Sequence, residues 1–414
     1  MSLKRRNLTI LNKKYALIIL ETLAVFLAVS YFYIFKENLS FLTVYGTRDL
    51  LRSIHWWQHP VFHGSELSGS GYTPGPFFYI ISSLPLQFAP SWWTMHYLKC
   101  TLATSAGVLI WFFGKRISGI TCALWMTFLY ASSRRLQASY LLDWNASFQP
   151  FFSVLFLIVL LMAFELGKEK GARVLYGAFF ILGLSCQIHG SFTIFILFFL
   201  ILNFFAKKVG WESWSLKNLA WSLFYFLIPS LPFLIWYSLG EGSVSLSYSK
   251  APPLVTYKGL FLEFTYWSRK FTGITDINWK NLSALSHPFL NNKFLMYSFY
   301  TSLLSLVYLV IIKKIKPDAW VYKATLIILA IFFVYLPLFL TDVPLRYMFH
   351  WKLTQLVAVS LFTVFTFKQM TKLFIPHQQI KKLFYLFILI LIPFYYEATR
   401  EHAESVDSEF RENE

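Results

Sequence analysis

The sequence predicts an all-α, polytopic integral membrane protein with about eleven transmembrane helices and an extracytoplasmic first loop that carries juxtamembrane helices. Three observations predict it. Hydrophobic residues make up 57% of the chain and charged residues 14%, whereas a soluble domain carries about a quarter charged residues. The mean hydropathy is +0.53. Finally, long apolar runs alternate with short connectors, and the connectors sort by charge. Every second one is rich in Lys and Arg: Lys4 to Lys14, Lys115-Arg116, Lys168 to Arg173, Lys207-Lys208, Lys313 to Lys316 and Lys368 to Lys382. The intervening ones hold Asp49, His63, Asp143, His189, Asp276, Arg346 and His350. By the positive-inside rule the first set is cytoplasmic and the second extracytoplasmic. The expected location is the cell inner (plasma) membrane, with the N-terminus cytoplasmic.

A helix needs roughly 20 apolar residues to cross the hydrocarbon. The basic N-terminus leads into a first span, Tyr15–Phe35, and no small-x-small cleavage site follows it. A polar-aromatic outer loop runs over 36–93. Within it Pro76–Phe88 is apolar but short and carries Pro85, which predicts a re-entrant or interfacial helix. Spans follow at Met95–Phe113, Ile117–Tyr130, Phe148–Leu166, Val174–Ile188, Ser191–Phe205 and Leu219–Leu239. After a second long outer loop, 240–293, come Phe294–Ile312, Ala324–Leu340, Trp351–Phe367 and Leu383–Tyr396. Residues 1–396 thus read as one transmembrane domain and 397–414 as a disordered acidic tail.

The net charge of +17 is spread over many short turns. It fits topology and attraction to membrane lipid headgroups, and it argues against nucleic acid as a partner. Cys100, Cys122 and Cys186 all fall in apolar runs and match no metal or disulfide framework. Glu21, inside the first span, suits snorkelling or an interhelical hydrogen bond.

The outer connectors carry the chemistry. Asp49 follows Thr47-Arg48 and precedes Arg52; it fits a general base, a helix N-cap or an ion-pair partner for those arginines. His55, His59 and His63 are spaced four apart, but Pro60 breaks the helix that a three-imidazole metal site would need. Asp143 and Asn145 open a span. They suit helix capping, or a second acid that orients a hydroxyl or holds a divalent ion; no cofactor is predicted. His189 ends a span, as a turn histidine or a hydrogen-bond partner for phosphate. Arg346, with Tyr347 and His350, opens a late span, where a planar guanidinium suits a lipid phosphate. Lys258, Arg269, Lys270 and Lys280 in the second long loop also suit phosphate.

Four stretches resemble the GT-C superfamily of polyprenyl-phosphate-sugar-dependent glycosyltransferases, in particular the bacterial relatives of protein mannosyltransferase and of lipid A aminoarabinose transferase. They are Thr47-Arg48, Gly75-Pro76-Phe77-Phe78-Tyr79, Trp144-Asn145-Ala146-Ser147 with Pro150, and Gly183-Leu184-Ser185-Cys186-Gln187-Ile188-His189. Arg346-Tyr347 is a weaker echo. The resemblance implies a GT-C-like fold and a hexosyl or pentosyl transferase of the cell envelope and polysaccharide biosynthesis. The donor would be a polyprenyl-phosphate-linked sugar, and the acceptor an extracytoplasmic glycan, lipid or protein. Asp49 and Asp143 become the candidate catalytic acids. Arg48, His63, Tyr79, Asn145, His189, Arg346, Tyr347 and His350 become candidate substrate-binding residues. The chain departs from the family pattern at one point: the acid pair usual before the Thr/Ala-Arg step is replaced by Tyr45-Gly46. Two other readings follow from the same residues. One is an O-antigen ligase or polymerase with a diphosphate-linked donor, and the other is an inactive GT-C-fold lipid-binding or transport protein.

Overall fold

A computed structural model describes residues 2–34, 44–64, 66–67, 71–72, 75–132 and 145–238, together with Ser360 and Val364. The helices in chain order are α1 (Ser2–Ile34), α2 (Val44–His55), α3 (Phe77–Leu86), α4 (Trp92–Ser118), α5 (Ile120–Ser132), α6 (Gln149–Ile188), α7 (Ile194–Phe205), α8 (Leu216–Leu227) and α9 (Leu231–Ser238). A two-residue hairpin, Glu66–Leu67 with Gly71–Tyr72, lies between α2 and α3. Among the described residues three helical stretches are long and apolar enough to cross a membrane: Trp92–Ser118, Gln149–Ile188 and Leu216–Ile235. Tyr15–Tyr31, Phe77–Leu86, Ile120–Ala131 and Ile194–Phe205 are shorter apolar helices. The predicted spans from 294 onward, the loop 240–293 and the tail lie outside the described residues, apart from Ser360 and Val364. These two are helical and buried.

The boundaries follow from local chemistry. α4 starts three residues before the apolar run suggests, because Ser91 caps it by accepting from the Thr94 backbone N–H at 3.2 Å. It ends at Gly119, which separates it from α5. The two predicted spans over 148–188 are separate helical segments, 149–166 and 168–188, which meet at a turn where Gly167 has non-helical angles (φ 69°, ψ −175°). The predicted span Leu219–Leu239 is interrupted at 228–230 by a 3₁₀ turn, because Pro229 has no N–H to continue the helix.

Packing sets two opposite ends. α4 runs between them for 27 residues, roughly 40 Å at the helical rise. At the far end Lys115 donates to Glu21 at 2.5 and 2.8 Å, and Trp111 Nε1 donates to Glu21 at 2.8 Å. Glu21 is thus a partner between α1 and α4. Beside it Arg116 pairs with Glu165, and Glu212 accepts from the Lys168 backbone N–H at 3.0 Å. Phe164 stacks on Trp211 there at 5.2 Å. Residues of the Lys115-Arg116 and Lys168 to Arg173 connectors, and of the turn that follows Lys207-Lys208, therefore lie at one end. Asp49, Asn145 and His189 lie at the other, as described below.

In lipid, helices associate through close packing rather than through escape from water. The segment 168–188 meets α8 in this way: a Cβ on Gly183 would meet the Phe226 carbonyl and the Pro229 ring. Gly183→Val is expected to lower stability in detergent by about 1–3 kcal/mol through overpacking, read as a drop in melting temperature. An unchanged melting temperature would contradict this contact. The three cysteines are buried and unpaired with one another.

Candidate functional site

α2 and α3 form a pair at the end opposite the Glu21–Lys115 contact, and they carry the polar cluster. Asp49 lies on the buried face of α2 and is only 2% exposed. Its Oδ1 accepts three hydrogen bonds, each of 3.1 Å: from Arg48 Nε, from Arg48 Nη2 and from the Tyr79 hydroxyl of α3. Arg52, one turn on, approaches the Tyr79 hydroxyl from its other side at 3.5 Å. Ser53 donates to the Asp49 backbone carbonyl at 2.7 Å, which ties the side chain back into α2. The carboxylate is buried with a guanidinium and a phenol in hydrogen-bond contact, the condition under which a buried charge is tolerated.

Tyr79 is fully buried. Burial and then the neighbouring Asp49 charge push its phenol from 10 up to about 12. It therefore stays protonated and donates to Asp49. Because the folded state holds this proton more tightly, its contribution to stability is complete below pH 10 and disappears as pH rises through 12. Alkaline unfolding of the wild type should therefore steepen over that window, by about 3 kcal/mol in all, and Tyr79→Phe should remove that component. Identical alkaline limbs would contradict the assignment.

A second set of contacts fixes α3. Gln187, 1% exposed near the end of α6, accepts from the Phe77 backbone N–H at 3.1 Å and donates to the Pro229 carbonyl at 2.5 Å. It thereby joins the start of α3 to the break between α8 and α9. Gly75 lies against the Gln187 side chain with φ 116°, a conformation glycine adopts readily. Asn145 donates from its side-chain amide to the Ile188 carbonyl at 2.5 Å. α6 has no side-chain cap, so Asn145 binds the two ends of the α6 hairpin together rather than capping it. Phe78 packs on Phe148 with ring centroids 5.2 Å apart, and Phe77 on Phe152 at 5.6 Å.

His189 follows directly, in extended conformation (φ −155°, ψ 131°). Burial pushes its imidazole down to about 4, so near neutral pH the ring is uncharged. His63 lies in the turn after α2 and donates from Nδ1 to the Gly64 carbonyl at 2.9 Å. α2 ends at His55, so the three histidines do not share a helix. No group of three His, Cys, Asp or Glu suited to a metal ion occurs among the described residues. Asp143, Arg346, Tyr347 and His350 lie outside the described residues, as do Lys258, Arg269, Lys270 and Lys280.

The structure thus joins Arg48, Asp49 and Tyr79 directly, and it joins Asn145 and His189 to the same end through Gln187 and Ile188. Arg52 and Gln187 were not singled out as site residues in the sequence. Arg52 lies one turn after Arg48 on an amphipathic segment. Gln187 is an amide inside an apolar run two residues before His189, where an uncompensated polar group would be costly. Those were the available signals.

No protein-family model matches this sequence, and no curated protein matches it. Solved structures do. The archaeal oligosaccharyltransferase AglB from Archaeoglobus fulgidus, in complex with an inhibitory peptide and a dolichol-phosphate, is similar at 14% identity and TM-score 0.58, over 95% of this chain and 56% of that one. ArnT from Cupriavidus metallidurans, bound to undecaprenyl phosphate, is similar at 10% identity and TM-score 0.55, over 84% of this chain and 59% of that one. The same AglB tethered to an acceptor peptide containing the NVT sequon gives 15% identity and TM-score 0.57, over 91% and 55%. The chain spans a little over half the length of each. The chain shares its fold with these structures.

Proposed function

We propose, on the premise of a GT-C fold, that the chain is a membrane glycosyltransferase. It moves a sugar from a polyprenyl-phosphate donor to an extracytoplasmic glycan, lipid or protein acceptor. One observation supports this reading above the others. The four stretches scattered between Thr47 and His189 that resemble the family meet at one end of the bundle, around a buried carboxylate held by Arg48 and Tyr79. Packing alone does not require an acid, an arginine and a tyrosine there.

In the proposed reaction the acceptor hydroxyl oxygen attacks the anomeric carbon and the bond from that carbon to the phosphate oxygen breaks. The acceptor proton passes to a carboxylate, Asp49 or Asp143. Charge grows on the departing phosphate, and Arg346, His350 or Arg48 stabilise it electrostatically. Tyr79 and Arg48 hold Asp49 in position. The prenyl chain lies between spans, with each buried CH₂ contributing about 0.8 kcal/mol.

A second reading has two observations in its favour. Tyr45-Gly46 stand where the family carries acids, and Asp49 is only 2% exposed, which suits a GT-C-fold lipid-binding protein in which Asp49 is an anchor. The experiment is transfer from radiolabelled polyprenyl-monophosphate and polyprenyl-diphosphate sugars by the purified protein in detergent or nanodiscs. Turnover with the monophosphate donor supports the proposal. Turnover with the diphosphate donor alone indicates a ligase or polymerase. Donor binding with no turnover indicates the second reading.

A further inference from the structure

The outer face of α2 carries a cleft beside the cluster around Asp49, with which it shares only Arg52 among its lining residues. It has a volume of about 270 Å³ and is lined by Leu51, Arg52, His55, His59 and Val61. A single water takes up ~30 Å³ in the liquid, so the cleft has room for a phosphate group and the atoms linking it to a larger molecule. Its walls are held in place: His55 is bonded through Nδ1 to Gln58 Oε1 at 3.2 Å, and Trp56 Nε1 donates to the Val61 carbonyl at 3.3 Å, closing the 56–61 turn that carries His59.

The surroundings are apolar and exposed. Leu51, Trp57 and Phe62 are exposed on this segment, Leu84 on α3 and Phe88, 91% exposed, just after it. Gln87 Nε2 reaches the Ile54 carbonyl at 3.5 Å, which keeps the two helices side by side. An amphipathic pair with bare aromatic and aliphatic side chains, beside helices that cross a membrane, belongs in the headgroup layer. A guanidinium and two imidazoles at that depth complement an anion, and the apolar lip complements acyl chains.

We propose that this cleft binds the headgroup phosphate of an anionic phospholipid, with its acyl chains running over Leu51, Trp57 and Phe62. Arg52 lines the cleft and also reaches the Tyr79 hydroxyl. The bound lipid is therefore linked to the Asp49 cluster through one side chain and steadies α2 against α3. A free phosphate would meet the same polar side chains but leave the apolar lip without a partner.

The test uses the full chain in phosphatidylcholine vesicles containing a minority of phosphatidylglycerol with a photoactivatable acyl chain. The adducts are mapped by peptide mass spectrometry. Label is expected on the peptide spanning 51–62. Arg52→Gln should lower it about fivefold and His55→Gln with His59→Gln about two- to threefold, whereas His55→Arg with His59→Arg should retain it. The two histidines are exposed, so their variants should fold. Label unchanged in the Gln variants would overturn the proposal. So would equal labelling by photoactivatable phosphatidylcholine, or loss of label when millimolar inorganic phosphate is added, which would make the cleft a free-phosphate site. The readout needs no sugar donor and is therefore independent of the transfer assay.

Discussion

Asp49→Asn is expected to lower sugar transfer about 10²–10⁴-fold, the usual contribution of a positioned general base. Asparagine keeps the shape and one acceptor oxygen, so the Tyr79 hydroxyl and Arg48 retain a partner at the position where each now donates over 3.1 Å. What disappears is the charge and the capacity to take a proton. The loss should therefore fall on kcat with little change in KM for the donor, since an interaction made only in the transition state lowers kcat and kcat/KM together. Melting temperature separates chemistry from structure. A purely structural Asp49 would lose activity only in proportion to the folded protein lost, and Asp49→Asn would then turn over normally once corrected for that fraction. Asp143→Asn forms the matched control. If neither substitution slows transfer, both carboxylates leave the mechanism.

Gly75→Ala is expected to destabilise the protein by roughly 2–5 kcal/mol. Two effects add: an alanine at φ 116° is strained, and its Cβ would overlap the Gln187 side chain. Either way α3 must shift. The Phe77 N–H then loses Gln187 Oε1, and Tyr79 is drawn from Asp49. The measurement is thermal unfolding of Gly75→Ala, Gln187→Ala and the double variant. If Gln187 is the obstacle, the double variant should be more stable than the sum of the two single losses predicts, because the side chain that clashes is gone. Strict additivity would mean that the two residues do not act on one another.

The chain pattern made the helices legible because apolar length is a strong signal, and the first apolar run of the outer loop did form a helix, α3 (Phe77–Leu86). The break at Gly167 was legible, because the charged connector Lys168 to Arg173 interrupts the apolar run where the chain turns. The break at Pro229 was harder: it interrupts a span that hydropathy reads as continuous, and one proline does not change the mean hydropathy of a sliding window. Within the site, Asp49 stood out because an acid between two arginines is conspicuous in an apolar sequence. Its choice of Tyr79 did not, since the partner lies 30 residues away and the pairing depends on how α2 and α3 pack. Asn145 suggested a helix cap from its position at the start of a span, yet its amide crosses to Ile188. The local pattern carries no information about the strand of chain that returns 43 residues later.

The charge sort was legible for a different reason. It reflects which end of each helix a connector occupies, and that alternates with every crossing. Among the described residues Glu21, Lys115, Arg116, Glu165, Lys168 and Glu212 meet at one end, and Asp49, Tyr79, Asn145 and Gln187 group at the other.

The central claim is that Asp49 shares one chamber with the donor phosphate. An experimental structure of the full chain with a bound polyprenyl phosphate tests this most directly. The account predicts the phosphate at the Asp49–Tyr79 end of the bundle, held by Arg346 or His350, with Asp143 facing the same space. A phosphate seated at the Glu21–Lys115 end, or walled off from Asp49 by the α2–α3 pair, would contradict it.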